Sequence, residues 1–231
     1  MITSEEIIKE VNNIFSSKWE TREGRIVPEP EDLKLINDAV LLNGVVLYAD
    51  LRASTEMVNK YENWFSAEIY KSYLVSVCKI IQDNEGKITA FDGDRVMAVY
   101  IGTSKNSSAA KTALKVNYVI SKINEVINEK YPQKAYNIKQ AVGIDNSALF
   151  VARTGIRKYN DLIWVGRAAN YAAKLCSIKN TEYKTYITES VFNALSNETK
   201  NGGDPERCMW NKIYWEERDI YIYGSSWWWK I

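Results

Sequence analysis

The sequence predicts an α+β fold, in which a mixed sheet carries helices on one face. Short, mainly apolar stretches that are typical of strands lie at Gly44–Leu51 and on both sides of Asp92-Gly93. Two long stretches, Trp64–Asn84 and Ser108–Tyr131, repeat apolar residues at helical spacing. The resulting order is strand, helix, hairpin, helix, strand pair, helix and strand. Because this order does not alternate regularly, it favours an α+β sheet over a doubly wound parallel sheet.

The N-terminal part is expected to form a helix that leads into the first core strand. Ser4 can cap a helix over Glu5–Lys18, where apolar residues recur on one side. Pro28 and Pro30 break regular structure, so the segment around them is the only plausible linker. Gly44–Leu51 then follows as a strand.

The strongest short hairpin pattern in the chain is Asp92-Gly93. It joins the strands Lys87–Phe91 and Arg95–Ile101 and puts Asp94 at the tip of the hairpin. The helix before it is expected to stop at Gly86.

The second half of the chain contains shorter elements. The predicted elements, in order, are a strand pair at Ile138–Ile144 and Ala148–Ala152, a short helix at Arg167–Ser177, a strand at Tyr186–Thr188, a helix to Leu195, and late strands within Trp210–Ile231. The last segment is rich in tryptophan. Alternating aromatic residues in a late strand indicate packing rather than a membrane anchor.

Composition limits the classes of function. The chain has 231 residues, enough for one well-buried domain, and its 30 Lys and Arg nearly balance its 29 Asp and Glu. Because the chain has no basic run, we do not expect a nucleic-acid partner. A small-molecule partner is expected instead. The chain has no histidine. Catalysis would therefore depend on carboxylates, Lys, Tyr, Asn or metal ions.

The cysteines and the N-terminus bear on the compartment. Cys78, Cys176 and Cys208 form no C-x-x-C pair, which indicates reduced, buried thiols. The first residues are acidic where a signal peptide is basic, and no stretch approaches the roughly 20 apolar residues of a membrane helix. A cytoplasmic protein without membrane contact is expected.

Asp50 lies where α/β proteins place functional groups, at the end of a core strand. Alternation puts Asp50 beside Tyr48, and the helical pattern that starts near Thr55 brings backbone N–H groups close to it. If the strands are neighbours, Asp94 meets Asp50, and the two carboxylates can share two Mg²⁺ or Mn²⁺ ions about 3.5–4 Å apart. From spacing alone, a helix cap at Asp50 and a turn residue at Asp94 explain the pattern better.

Four segments of the sequence favour a metal site over a structural role for Asp50 and Asp94. They are YADLRAST, GKITAFDGDRVMAVY, AVGIDNSALF and WVGRAANYAAKL, within Gly44–Leu195. In order and spacing they resemble the class III nucleotidyl cyclases. The resemblance implies a ferredoxin-like mixed or antiparallel sheet with helices packed on it, and a head-to-tail homodimer with shared active sites. Residues 1–42 would form an N-terminal helical extension, and residues 43–231 the catalytic domain with its aromatic C-terminal strands.

The resemblance also implies roles for single residues. Asp50 and Asp94 match the metal-binding aspartates, and the main chain of Leu51 is a further ligand. Asn170 matches the asparagine that orients the ribose, and Lys174 stands where the family usually has a transition-state arginine. The residues that match the triphosphate turn are Ala53, Ser54 and Thr55.

Several positions depart from the family pattern. Lys174 keeps the charge of arginine but not its bidentate fork, so Arg167, one helical turn earlier, could share its role. Ser147 and Ala152 replace two usual glycines. The positions that usually bind a purine through polar groups are here Ala90 and Ile163.

Loss of the purine contacts together with an intact metal pair favours a different base over an inactive enzyme. The chain resembles the pyrimidine cyclases of Pycsar antiphage systems in its D-x-R-x-S-T turn, its GDRVMA hairpin, its W-V-G-R-A-A-N-Y-A-A-K-L run and its Trp-rich tail. Tyr48 either lines a pocket for a one-ring base or is a core aromatic residue. Arg52 and Arg95 either contact phosphate or lie on the surface.

The expected reaction is therefore the conversion of UTP to cyclic UMP and pyrophosphate, with the product read by a separate effector. The preference for UTP over CTP depends on the resemblance alone. An adenylate cyclase, a catalytically silent nucleotide or phage sensor and a polymerase palm are the alternatives.

Overall fold

The structure is a computed structural model that describes residues 2–178 and 182–231. The chain divides into two compact units. The smaller unit comprises Met1–Asn43 and Ala148–Gly166, and the larger unit comprises Gly44–Ser147 and Arg167–Ile231.

Helices and strands are named in chain order within the described ranges. The helices are α1 (Ser4–Ser16), α2 (Ser54–Lys60), α3 (Asn63–Asp83), α4 (Lys105–Lys130), α5 (Arg167–Cys176), α6 (Glu189–Asn193) and α7 (Asn197–Lys200). The strands are β1 (Glu20–Glu23), β2 (Asp38–Arg52), β3 (Lys87–Asp92), β4 (Arg95–Tyr100), β5 (Lys139–Ile156), β6 (Tyr159–Val165), β7 (Thr185–Thr188), β8 (Asn201–Gly202), β9 (Arg207–Cys208), β10 (Asn211–Trp215) and β11 (Ile220–Ser225).

The larger unit is built on a mixed sheet with the strand order β10-β11-β7-β5-β2-β4-β3. The pairs β2–β4, β3–β4, β7–β11 and β10–β11 are antiparallel, and β5–β7 is parallel. Helices pack on this sheet, so the predicted α+β class is confirmed. Its main core joins apolar residues of α3 and α4 to Val45, Leu47, Ala49 and Leu51 of β2. The face of β2 opposite Tyr48 and Asp50 therefore packs in the main core.

Helices cover both faces of the sheet, so the expectation that they lie on one face is wrong. Ile187 of β7 belongs to the main core with α3 and α4, whereas Tyr186 packs in a second cluster with Leu175 of α5. Successive strand residues point to opposite faces. The helix α5 therefore lies on the face opposite α3 and α4, together with Tyr48, Asp50 and Arg52 of β2.

Most predicted helices and the β3–β4 hairpin are confirmed, and two strand predictions are wrong. The supposed strand pair around Asn146 is one strand, β5, and its hairpin partner is β6. The polar residues in the middle of β5 are bonded within the fold: Asn146 donates to Asn106 at 2.7 Å, and Asp145 accepts from Arg167. The first core strand, β2, begins at Asp38 rather than Gly44, because its first residues pair with β1.

The end of α3 shows why Gly86 follows it. The left-handed residue there is Glu85, with φ +65°, rather than the glycine. A Cβ on Gly86 would lie 2.6 Å from both Ile81 and the ring of Tyr100. Close packing, not the helix stop itself, requires glycine at this position.

In the smaller unit, α1 has no buried side chain. The Asn37 side-chain amide donates to the carbonyls of Ile14 and Ser17, both at 2.8 Å, and so holds the end of the helix. The ring edge of Trp19 contacts Phe150, with centroids 4.9 Å apart.

The C-terminal tail packs, as the sequence predicts. Trp227 and Trp229 lie against the main core, and Trp228 stacks on Tyr118. None of the helices in the described ranges combines the length and apolar character that crossing a membrane requires. Burial raises the pKa of the Cys176 thiol to about 12, but Cys208 is exposed, contrary to the expectation of three buried thiols.

Candidate active site

The register of β2 and β4 brings the two aspartates together. Asp50 lies opposite Arg95, and its carboxylate is 3.4 Å from the Arg95 Nε. Asp94 directly precedes Arg95 in a two-residue turn that begins with Gly93 at φ +61°, a conformation that favours glycine. The tip of the hairpin therefore lies beside the carboxyl end of β2.

The electrostatics of the two carboxylates show that they interact. Burial raises the pKa of Asp50, the Arg95 guanidinium lowers it, and the charge of Asp94 raises it further. The Oδ2 atom of Asp94 is buried and has no hydrogen-bond partner among the described residues. A buried acceptor without a donor beside a second carboxylate leaves negative charge uncompensated.

This uncompensated charge fits a hard divalent cation. Mg²⁺ is commonly bound by one or two carboxylates, with waters and substrate phosphates completing the shell. Across residues 2–178 and 182–231, no cluster of three or more His, Cys, Asp or Glu side chains is arranged to hold a metal ion. Asp50 and Asp94 are the pair of carboxylates that could bind such a cation. Main-chain oxygens such as that of Leu51 would be further ligands.

Three cross-strand neighbours extend this site toward the predicted base pocket. Met97 of β4 pairs with Ala90 of β3 on one side and with Tyr48 of β2 on the other. Directly opposed residues point to the same face of a sheet, so Ala90 and Tyr48 share the face of Asp50. The Arg95 guanidinium lies 5.9 Å from the centre of the Tyr48 ring, and burial raises the pKa of Tyr48. Ile163 lies in the smaller unit, in β6 opposite Ala152.

The turn after β2 carries Ala53, Ser54 and Thr55, and α2 begins within it. Ala53 has φ 59°, a left-handed conformation that costs a non-glycine residue about 1 kcal/mol. Local strain of this kind concentrates at functional sites. Tyr70 of α3 also belongs here, because burial, and after it the charge of Asp94, raises its pKa, and its hydroxyl bonds to Ser54. Sequence analysis missed Tyr70, since its spacing in α3 does not distinguish it from packing residues.

Arg167 is engaged inside the fold. Its Nε and Nη2 atoms donate to the two carboxylate oxygens of Asp145, at 3.0 and 3.2 Å, and Asp145 is fully buried. Thr188 and Ser190 also donate to Asp145. The Ser147 hydroxyl accepts from the backbone N–H of Ala168 at the start of α5. Arg167 and Ser147 therefore fix the start of α5 in the fold.

Asn170 and Lys174 lie four residues apart on α5 and so share one side of the helix. The Lys174 ammonium lies 3.7 Å from a carboxylate oxygen of Glu217, and 45% of its side chain is exposed. Within the described part of the chain, this is the ion pair of Lys174, and no contact joins it to Asp50 or Asp94.

We expect Asp145→Ala to lower the free energy of unfolding by about 3 kcal/mol, because Arg167 would lose its partner and two hydroxyls their acceptor. Urea unfolding followed by circular dichroism measures this loss. Asp83→Ala is the matched control, since the ion pair of Asp83 with Lys115 is exposed and should contribute at most about 1 kcal/mol. Equal losses in the two variants would show that Asp145 does not anchor α5.

Comparison with known proteins gives close relatives over the whole chain. A uridylate cyclase of Xanthomonas perforans is 47% identical over 226 residues, covering 95% of each chain. A uridylate cyclase of Burkholderia cepacia is 45% identical over 235 residues and covers both chains fully. A third, from Rhodovulum sp. (strain MB263), is 36% identical over 237 residues, covering 99% of this chain and 98% of its own. No family model matches the chain.

Solved structures show the same fold at low identity. A bacterial light-regulated adenylyl cyclase aligns with a TM-score of 0.71 at 17% identity, over 85% of this chain and 54% of its own. An adenylyl cyclase from P. aeruginosa aligns with a TM-score of 0.63 at 20% identity, over 81% of this chain and 95% of its own. The chain is therefore a nucleotidyl cyclase that belongs to the uridylate cyclase family, with the catalytic-domain fold of the class III cyclases.

Proposed function

We propose that the protein converts a pyrimidine nucleoside triphosphate, UTP in preference to CTP, to its 3′,5′-cyclic monophosphate and pyrophosphate. The observation that carries this proposal is the row of Ala90, Met97 and Tyr48 beside Asp50. Ala90 offers no polar group to a purine, and we infer that the Tyr48 ring, which lies on the same face, limits the pocket to a one-ring base. The uridylate cyclases that resemble the chain over its full length support UTP.

The metal pair would be Asp50 and Asp94, with the main chain of Leu51. Two Mg²⁺ or Mn²⁺ ions, when bound there, supply Lewis-acid activation of the ribose 3′-hydroxyl and neutralise charge on the leaving pyrophosphate. The buried Oδ2 of Asp94, which has no hydrogen-bond partner within residues 2–178 and 182–231, supports this assignment.

The remaining residues bind and orient the substrate. The turn at Ala53, Ser54 and Thr55, with Arg52 beside it, holds the triphosphate. Asn170 orients the ribose, so that its 3′-oxygen faces the α-phosphorus. Lys174 then stabilises the charge that develops on the α-phosphate as the pyrophosphate leaves. Ile163, like Ala90, offers the base no hydrogen bond.

The two halves of the site would come from different subunits of a head-to-tail homodimer. Within one chain Lys174 pairs with Glu217, and its side chain remains accessible to a partner. A C₂ dimer places the same two surfaces against each other twice, so it carries two equivalent sites.

The biological role follows from the resemblance to the Pycsar cyclases. We infer that the enzyme works in the cytoplasm, without nucleic acid or membrane, as a source of a second messenger in antiphage defence. A separate effector that responds to cyclic nucleotides would read the product.

The decisive experiment is incubation of the protein with each of the four nucleoside triphosphates and Mn²⁺, followed by chromatography. Cyclic UMP with equimolar pyrophosphate is expected from UTP, with slower product formation from CTP. Cyclic AMP as the main product would make the protein an adenylate cyclase. Nucleotide binding without any product would indicate a silent sensor.

We expect Tyr48→Ala to widen the base pocket and lower the ratio of kcat/KM for UTP over ATP at least tenfold, because pocket size alone discriminates by about 10–200-fold. Steady-state kinetics with both nucleotides measure this ratio. Tyr48→Phe keeps the ring and should keep the ratio. An unchanged ratio in Tyr48→Ala would mean that the ring belongs to the core and not to the base pocket.

A further inference from the structure

A cavity lies in the larger unit, against α4 and beside the amino ends of β5 and β7. Its volume is about 330 Å³, at the lower end of the range of small-molecule sites. The polar side chains that matter for its chemistry are Arg52, Ser121, Lys139, Tyr183 and Lys184. No acidic side chain is among the described residues that line it. The cavity is therefore positively charged.

Arg52 brings an unsatisfied guanidinium to this cavity. Its Nη1 atom donates to the carbonyl of Ile178 at 3.0 Å. The Tyr186 hydroxyl interacts with the guanidinium, but the buried Nε and Nη2 atoms make no hydrogen bond of good geometry within the described residues. Leaving charged donors buried without acceptors is costly, and a bound anion would remove that cost. The planar guanidinium suits an oxyanion such as phosphate.

The two lysines come together because β5 and β7 are parallel neighbours. Lys139 is the first residue of β5, and Lys184 immediately precedes β7. The Val142 N–H donates to the Lys184 carbonyl at 2.9 Å, which fixes the two strand starts side by side. No ion pair links Lys139 or Lys184 to a carboxylate in the part of the chain that the structure describes. Three cations therefore face one cavity, and their mutual repulsion is lowest with an anion between them.

We propose that this cavity binds a phosphate-type anion through Arg52, Lys139 and Lys184. A neighbouring cavity of about 280 Å³ shares Arg52 and Lys139 and is also lined by Ala53. The phosphate group therefore has two possible sources, namely the outer phosphates of the substrate, which leave as pyrophosphate, or a free anion that binds independently. The site follows from the cations and the cavity, and it does not depend on the proposed cyclase reaction.

Titration calorimetry with inorganic pyrophosphate in EDTA tests the site. EDTA removes divalent ions, so binding at Asp50 and Asp94 does not contribute. The wild-type protein should bind with a dissociation constant of about 1 mM or tighter. Lys139→Gln and Lys184→Gln should each weaken binding about tenfold, whereas Lys79→Gln, which removes an exposed charge from α3, should leave it unchanged.

Competition with α,β-methylene-UTP in Mn²⁺ identifies the source of the anion. If the analogue displaces pyrophosphate, the cavity holds the outer phosphates of the substrate; if both bind together, it holds an independent anion. Two results would overturn the proposal. One is wild-type protein that does not bind pyrophosphate, and the other is binding that Lys139→Gln and Lys184→Gln weaken no more than Lys79→Gln does.

Discussion

Asp94→Asn is expected to lower the Mn²⁺-dependent kcat for UTP about a thousandfold, because the proposed metal pair loses one of its two carboxylates. The amide has the same shape as the carboxylate, so the change removes the charge alone. Product chromatography at saturating UTP and Mn²⁺ measures the loss. The fold should persist, and thermal unfolding should show an equal or higher Tm. Asp94 raises the pKa of Asp50, so removing its charge relieves repulsion between the two carboxylates and lowers that pKa.

Asp92→Asn is the matched control for this variant. Asp92 lies opposite Arg95 at the end of β3, in the same cross-strand row as Asp50, but it is exposed. Its role is expected to be in the turn, so activity should change less than threefold, roughly the effect of a screened surface charge. Retained activity in both Asp94→Asn and Asp50→Ala would rule out the metal pair.

Lys174→Ala is expected to lower kcat about a hundredfold, since one charge that stabilises the transition state is removed. Mixing it with Asp94→Asn should restore activity to about a quarter of the wild-type value. Half of the randomly formed dimers would then be mixed, and each mixed dimer would have one intact site of two. The mixture is assayed after the subunits have been refolded together, so that they exchange fully.

A mixture of Asp94→Asn and Asp50→Ala serves as the control for complementation. Both changes lie in the same half of the site, so no arrangement of subunits gives an intact site, and no activity should return. The mixture of Lys174→Ala and Asp94→Asn could instead show no more activity than the two variants show when they are assayed separately. In that case both halves of the site come from one chain. Lys174→Arg, which restores the fork usual in the family, should remain active.

Much of the candidate site was predictable because it depends on local patterns. Alternation placed Tyr48 and Asp50 on one face, and Asp92-Gly93 predicted the hairpin that carries Asp94. The structure places Asp50 opposite Arg95, beside Asp94, as those patterns require. Four segments in order indicate the cyclase family from the sequence alone. The functions of the individual site residues remain proposals.

The parts of the fold and of the candidate site that the sequence did not predict depend on contacts between residues far apart in the chain. Arg167 binds Asp145, 22 residues away, and Thr188 lies 43 residues from the same carboxylate. No spacing rule predicts such pairs, so the sequence left Arg167 available for catalysis and divided β5 into two strands. The position of α5 on the face opposite α3 and α4 also depends on packing around Tyr186.

The sequence by itself determined the strand, the hairpin and the family, because turn chemistry and side-chain periodicity act within a few residues. Only the tertiary structure decided which cations are available. It engages Arg167 with a buried carboxylate, leaves Lys174 accessible, and places Arg52, which has two buried donors, in one cavity with the lysines at the starts of β5 and β7. The physical reason is that the availability of a charge depends on its partners, and strand pairing and helix packing bring those partners from distant parts of the chain.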